Sequence, residues 1–373
     1  MLGRRPVTGG AGALPRTEAV LERQRAEGLH PGACLVATLD AEPAGVASVG
    51  EARPGEAMGP STVVRWLSMT KVATALRAAM AWDAGALGLD DPVQLHLPDF
   101  AAGGKGDVTV RHLLTHTGGF RGAEAHPTLA GWDDEVARIC AEPQEEGWRP
   151  GRSAGYSPRA GFLVLAEVVR RALGDERPWD RIVADDVLAP LGMANSHLAL
   201  DAGTFAALAP RTATYWTTPP ASPEPRALVD DPVVAATCVP GSSGRGPVEE
   251  LPRLLEVLYL GGGEMLSPAA AEALTARHRT GLHDHTFGAV LDWGLGVLVD
   301  SKVHGRELVP YGFGAAASSR TFGHGGSQSA GLLCDPEACL VAALACTGRC
   351  GDRAHSRRVH EVFTAVYADL ALA

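Results

Sequence analysis

The chain has 373 residues, with 33 basic and 43 acidic side chains, a net charge of −10, and 46% hydrophobic content. That is enough apolar sequence to bury a large core, so wholesale disorder is excluded. The acidic balance, without a basic run, gives no electrostatic support to a nucleic-acid or anionic-membrane surface.

No apolar run reaches the roughly 18 residues that a membrane span needs. The first 20 residues carry two arginines but no apolar stretch after them, so they do not read as a secretory signal, and the expected location is the cytoplasm. The seven cysteines fit that compartment as buried thiols. The spacings of Cys334, Cys339, Cys346 and Cys350 match no common zinc pattern, and no metal is expected there.

In chain order, 17–29 reads as an amphipathic helix. Two strand-like runs follow, 34–39 and 45–49, joined by a turn around 40–43. A long alanine-rich helix is expected over 68–87. Between about 90 and 240 the pattern is helices and Pro/Gly-rich loops, with 110–115 and 160–173 the clearest helices. Further on, 251–260 and 268–278 read as helical, the latter with Ser267 as N-cap and Pro268 at the first helical position. Strands are expected at 295–299, 331–334 and 339–346, the last two joined by a turn at Asp335-Pro336-Glu337, before a final helix over 356–370.

Strand-forming segments therefore sit at both ends, with a helical block between them. The economical arrangement is an α+β fold: one antiparallel sheet built from both termini, flanked by the terminal helices, with an all-helical lobe inserted. The expected division is 16–67 with 265–373 for the sheet lobe and 68–264 for the helical lobe, with the site in the cleft between them.

Chemistry is suggested first by Ser68-Met69-Thr70-Lys71. A serine and a lysine three apart at a helix start share a face, and the unpaired amides of the first turn can stabilise an oxyanion. A serine hydroxyl needs a neighbour to take its proton, which a lysine of lowered pKa can do and an arginine cannot. With 30 arginines and only three lysines (71, 105 and 302), a lysine here carries information. Taken alone, such a pair is more often two ordinary helix-surface residues.

Several further motifs occur in order. Ala86-Leu87-Gly88-Leu89-Asp90-Asp91-Pro92-Val93 leads to Leu97-Pro98-Asp99-Phe100, and Val108 to Gly119 reads VTVRHLLTHTGG. Trp148-Arg149-Pro150-Gly151 leads to Tyr156-Ser157, and Phe322-Gly323-His324-Gly325-Gly326-Ser327 lies near the C-terminus. From about residue 20 onward the chain resembles the serine β-lactamase and penicillin-binding-protein superfamily, in particular the class C β-lactamases and their family VIII esterase relatives.

The resemblance implies a β-lactamase-like fold and an acyl-enzyme mechanism. Ser68 would be the nucleophile and Lys71 its hydrogen-bonded partner. Tyr156 would be general base in acylation and proton donor to the leaving group. His324, Gly325 and Gly326 would occupy the family's third motif on a strand lining the cleft, and the N–H groups of Ser68 and Ser327 would form the oxyanion hole. Trp293 is a candidate for lining the acyl pocket, with packing as its competing role.

Two departures from the family pattern matter. Pro158 stands where the β-lactamases carry an amide-holding Asn, and His324 replaces the lysine of Lys-Thr-Gly. Both weaken an antibiotic-hydrolase reading.

Other signals compete. Gly151-Arg152-Ser153-Ala154-Gly155 satisfies Gly-x-Ser-x-Gly but lacks a preceding apolar strand, so it is expected to be a loop presenting Tyr156. His112 and His116 have the spacing of a helical zinc site but no adjacent glutamate, and a structural role is expected. His283-Asp284-His285 is expected near the mouth of the cleft.

The expected function is that of an esterase or amidase acting on a small ester or amide. A transacylase that delivers the acyl group to an amine or alcohol in a biosynthetic pathway is the alternative, and a non-catalytic ligand-binding sensor is a third reading. No metal or organic cofactor is implied.

Overall fold

The computed structural model describes residues 12–124, 131–228, 230–305 and 308–372. Its principal element is a nine-stranded mixed sheet. In chain order the pieces that build or flank it are β1 (Gly12–Ala13), α1 (Pro15–Ala26), β2 (Gly32–Leu39), β3 (Glu42–Arg53), β4 (Glu56–Ala57), α2 (Thr70–Asp83), α3 (Val110–Leu114), α4 (Ala160–Leu173), β5 (Asp292–Trp293), β6 (Leu298–Val299), β7 (Phe322–Gly326), β8 (Ala330–Asp335), β9 (Leu340–Cys346) and α5 (Asp352–Asp369). The sheet order is β1-β3-β2-β9-β8-β7-β6-β5, with β4 paired to β3. The fold is α+β. The pairing is antiparallel except at one edge, where Gly12 and Ala13 run parallel to Gly45 and Val46.

Both faces of the central strands are covered, so those strands are apolar throughout instead of alternating with polar residues. Along β2, Cys34 and Val36 face one core, shared with α2 and α4, while Ala33, Leu35 and Ala37 face the other. Strand β9 divides the same way, with Val341, Ala343 and Ala345 opposed to Leu340, Ala342 and Leu344. The second face is closed by Leu21 of α1 and by Val359, Val362 and Phe363 of α5. That alternation is the two-residue period of a strand written into two different cores.

Local chemistry fixes the connections. The β2–β3 turn has Asp40 and Ala41 both at positive φ, 49° and 60°, as a tight two-residue hairpin requires. The β8–β9 turn is held by the Glu337 N–H donating to the Asp335 carboxylate at 3.1 Å. Ser267 caps the Pro268–Thr275 helix by accepting from the Ala270 N–H at 3.2 Å.

Two expected elements change in character, and one small sheet was not expected. The 68–87 helix starts at Thr70, after a 3₁₀ turn over Leu67–Met69. The 295–299 strand shortens to β6, because Gly294 to Val297 form a turn closed by the Gly294 N–H on the Val297 carbonyl at 2.9 Å. The 215–217 and 226–228 strands, unforeseen in a loop-rich region, form a small sheet with Gly348–Arg349 that is too short to show an alternating pattern. Among the described residues, no helix is long and apolar enough to cross a membrane.

Candidate active site

Ser68 lies in the middle of the 3₁₀ turn that runs into α2. The residue before it, Leu67, has φ +50°, a conformation non-glycine residues rarely adopt and keep only when surrounding contacts enforce it. Those contacts come from β7. At Gly326 a Cβ would stand 2.8 Å from the Trp66 carbonyl oxygen and 3.5 Å from the Leu67 Cβ, so only a glycine lets the strand reach the backbone of the turn. Ser327 is the next residue in the chain. On the other side Gly244 packs on the Trp66 ring, donates its N–H to Thr70 Oγ1 at 2.9 Å and accepts from the Trp66 N–H at 2.7 Å.

Lys71, one helical turn on, is fully buried. Its Nζ donates to the carbonyls of Pro158, at 2.6 Å, and Gly241, at 2.9 Å, and lies 5.0 Å from the Tyr156 ring centre. Carbonyls and ring solvate an ammonium, but burial opposes the charge more strongly and pushes the Lys71 pKa down to about 7, with distant Glu124 pulling upward. Pro158 has no side-chain donor, and here it contributes its carbonyl to hold the lysine.

Tyr156 is 4% exposed. Its position is set through its backbone: the N–H donates to Asp284 at 3.1 Å, and its carbonyl accepts from Thr286 Oγ1 at 3.0 Å. Asp284 is in turn paired with Arg279 at 2.8 Å, both side chains fully buried. Arg279 also donates to the carbonyls of Thr115 and Leu291, at 3.0 and 3.3 Å. Burial raises the Tyr156 phenol well above its ordinary pKa, partly offset by the nearby Ser68 hydroxyl, so the phenol stays protonated at neutral pH. Among the described residues, no group meets its hydroxyl with normal hydrogen-bond geometry.

Just beyond Tyr156, Ser157 and Glu124 begin α4. Glu124 accepts from the Ser157 hydroxyl at 2.6 Å and from the Ala160 N–H at 2.7 Å, and the Ser157 hydroxyl accepts from the Gly161 N–H at 2.9 Å. A carboxylate at this helix start complements the exposed amides.

His324 is fully buried in β7. Its Nδ1 lies 2.7 Å from the Gly325 carbonyl. A carbonyl only accepts, so Nδ1 carries the hydrogen and Nε2 is left as an acceptor without a partner among the described residues. Burial, reinforced by Lys71, pushes the pKa down to about 3, so the ring is neutral at pH 7.

Trp293, on β5, is also fully buried, with its ring 5.8 Å from Tyr156 and 5.6 Å from His324. Ser68, Lys71, Tyr156, Trp293 and the His324–Ser327 segment thus lie around one point. A separate cavity of about 480 Å³, lined in part by Trp132, Arg159, Trp179 and Cys238, contains none of them.

Sequence reading missed several residues of this cluster. His116 does not share a face with His112: it sits just past α3 at φ +56°, with Nδ1 accepting from the Ser157 N–H at 3.3 Å and its ring 4.5 Å from Tyr156. His112 instead closes the start of α3 by accepting from the Thr109 N–H at 3.1 Å. Tyr311, whose ring lies 6.2 Å from Tyr156 and 5.7 Å from His324, and Phe287, 4.9 Å from Tyr156, complete the wall. No spacing rule links positions so far apart in the chain. The one available signal was His116, a polar residue just past the apolar Leu113-Leu114 pair. Ser153 sits in a turn, its Oγ accepting from the Arg149 N–H at 3.2 Å, with no strand leading into it.

The D-alanyl-D-alanine-carboxypeptidase/endopeptidase AmpH of Escherichia coli is 29% identical over 165 residues, covering 39% of this chain and 40% of that protein. The chain therefore matches only about two-fifths of the length of that curated relative. A penicillin-binding protein homologue from Caulobacter crescentus superimposes with a TM-score of 0.78 at 25% identity, covering 95% of this chain and 97% of the other. EstCE1, described as a hydrolase with promiscuous acyltransferase activity, shares the fold with a TM-score of 0.78 at 21% identity, covering 95% and 98%. The Beta-lactamase family matches residues 17–365, nearly the whole chain, which therefore belongs to that family of serine hydrolases and acyltransferases.

Proposed function

We propose that this protein hydrolyses small esters or amides through a covalent acyl-enzyme at Ser68. The observation that carries the reading is a protonated phenol, Tyr156, with the Ser68 hydroxyl on one side and, 5.0 Å from its ring centre, the amine of a buried lysine of pKa about 7. In its neutral form Lys71 takes the proton from Ser68 Oγ as that oxygen attacks the substrate carbonyl carbon. The N–H groups of Ser68 and Ser327 receive the developing oxyanion.

Collapse of the intermediate breaks the bond to the leaving group. Tyr156 gives that group its proton, and the Lys71 ammonium returns a proton to the phenolate. In the second half, water attacks the Ser68 ester and its proton passes to this same pair. The acyl–oxygen bond breaks and Oγ regains a proton. His324, neutral and hydrogen-bond accepting, suits a donor group of the substrate better than a carboxylate, which argues against an antibiotic substrate.

Acyl transfer to an alcohol or amine is the second reading, and the dryness of the site favours it. Ser68 is 6% exposed and Lys71 and His324 are fully buried, so water reaches the ester poorly unless the wall opens.

The test is a chromogenic short-chain ester given to wild type and Ser68→Ala, with the intact protein weighed at each time point. Turnover and a transient acyl mass in wild type, both lost in the variant, are expected. Equal turnover in Ser68→Ala sinks the proposal, and stoichiometric labelling without turnover redirects it to a sensor or to a transferase awaiting its acceptor.

A further inference from the structure

Tyr311 belongs to no motif, yet it stands over the nucleophile. It occupies the third position of the turn Val309-Pro310-Tyr311-Gly312, closed by the Gly312 N–H donating to the Val309 carbonyl at 2.9 Å. Its φ is +58°, at a place where turns of this kind favour glycine, and a glycine is the next residue. A bulky residue kept in that conformation is a reason to look for a role.

The ring lies directly on the Cα of Gly325, so closely that any Cβ there would run into it. It contacts Phe287 at 5.2 Å and His324 at 5.7 Å between ring centres. Burial raises the pKa of its phenol, with the nearby Ser68 hydroxyl pulling the other way. One edge of the residue remains accessible from outside. The turn is tied down from behind: Lys302 Nζ donates to the carbonyls of Gly314, Ala315 and Ala317 at 2.9, 2.9 and 2.7 Å, and the Ala315 N–H donates to Thr364 at 2.9 Å.

A substrate carbonyl must come within about 3 Å of Ser68 Oγ to react, and the group attached to it must then lie where this ring now stands, between Ser68 and the backbone of Gly325. We propose that Tyr311 is the specificity-determining residue of this site and restricts it to short, unbranched acyl groups. The inference rests on the acyl-enzyme reading of Ser68. The ring sets the limit by its volume, and the phenol hydroxyl does not enter into it.

The experiment compares kcat/KM for p-nitrophenyl acetate, butyrate and octanoate in wild type, Tyr311→Gly, Tyr311→Asn and Tyr311→Phe. Glycine and asparagine both accept the positive φ, so one small variant serves if the other folds poorly. The octanoate-to-acetate ratio is expected to rise at least tenfold in both small variants and to stay within twofold of wild type in Tyr311→Phe. A purely structural role lowers all three substrates together and leaves the ratio fixed, and that result overturns the proposal. A ratio that rises equally in Tyr311→Phe also overturns it, because the hydroxyl would then be the determinant. Intact mass measured in the same samples separates this from the parent reading: no acyl mass on wild type means that the Ser68 mechanism has failed, whatever the ratios do.

Discussion

The Nζ of Lys71 donates to the carbonyl oxygen of Pro158 at 2.6 Å, two residues beyond Tyr156. The base and the phenol of the site are therefore held by one short loop, and the lysine is fixed by backbone that a point mutation cannot remove. The second acceptor, the Gly241 carbonyl, comes from a distant segment packed against α2. A Cβ at Gly241 would lie 2.9 Å from the Pro158 carbonyl oxygen and 3.1 Å from Nζ, so the close approach favours glycine.

The lysine's pKa of about 7 gives acylation a definite pH dependence. The neutral form, which can take a proton, grows as pH rises through that value. The kcat/KM for an activated ester should climb between pH 6 and 8 and level off above. Lys71→Arg, always charged, should lose roughly 10²–10⁴-fold and show no limb near 7. The linkage sign is that of a depressed lysine: from pH about 7 to the ordinary 10.5 the unfolded chain holds the extra proton, so this group's contribution to stability rises with pH. A pH–rate profile flat from 6 to 8 would contradict Lys71 as the base.

Asp284 and Arg279 form a fully buried ion pair behind Tyr156. Asp284→Ala strands the guanidinium and removes the acceptor of the Tyr156 N–H, so it should cost about 3–5 kcal/mol in urea unfolding. Asp284→Asn keeps an acceptor for the amides and should cost less. A loss below about 1 kcal/mol for the alanine variant would show that the pair does not hold this loop.

Leu67 precedes the nucleophile at φ +50°. Leu67→Gly relieves that conformation while adding freedom to the unfolded chain, so stability should stay within about 1 kcal/mol of wild type. The 3₁₀ turn loses its enforced geometry, and kcat should fall about tenfold, with the Ser68 amide less well aimed at the oxyanion. Thermal unfolding beside ester turnover checks both halves, and an unchanged kcat would mean that the strain has no catalytic role.

Elements with a strong local signal were readable in the sequence. The 160–173 helix has the bounds expected of it, because its apolar face repeats over nearly four turns and Gly174 closes it in the left-handed conformation. Strands β8 and β9 were equally plain, and Ser267 with Pro268 marked a helix start. The helix over 68–87 was misjudged at both ends. Its alanine-rich sequence does not disclose that Ser68 belongs to a separate 3₁₀ turn, a geometry enforced by Gly326 from another part of the chain.

The sequence by itself determined the principal strands and helices at the two ends of the chain, the apolar character of a sheet covered on both faces, and the chemically distinctive residues Ser68, Lys71, Tyr156 and His324. These follow from short-range periodicity and from residue types that few other roles require. Tertiary structure alone decided the protonation of those residues and the company they keep. Burial brings Lys71 to about 7 and His324 to about 3, and keeps Tyr156 a phenol. His116, Asp284, Phe287 and Tyr311 join the site from segments up to 195 residues apart. A pKa depends on desolvation by every neighbour in space, and a wall of rings depends on how sheet and helices pack, and neither quantity is written in any local stretch of the chain.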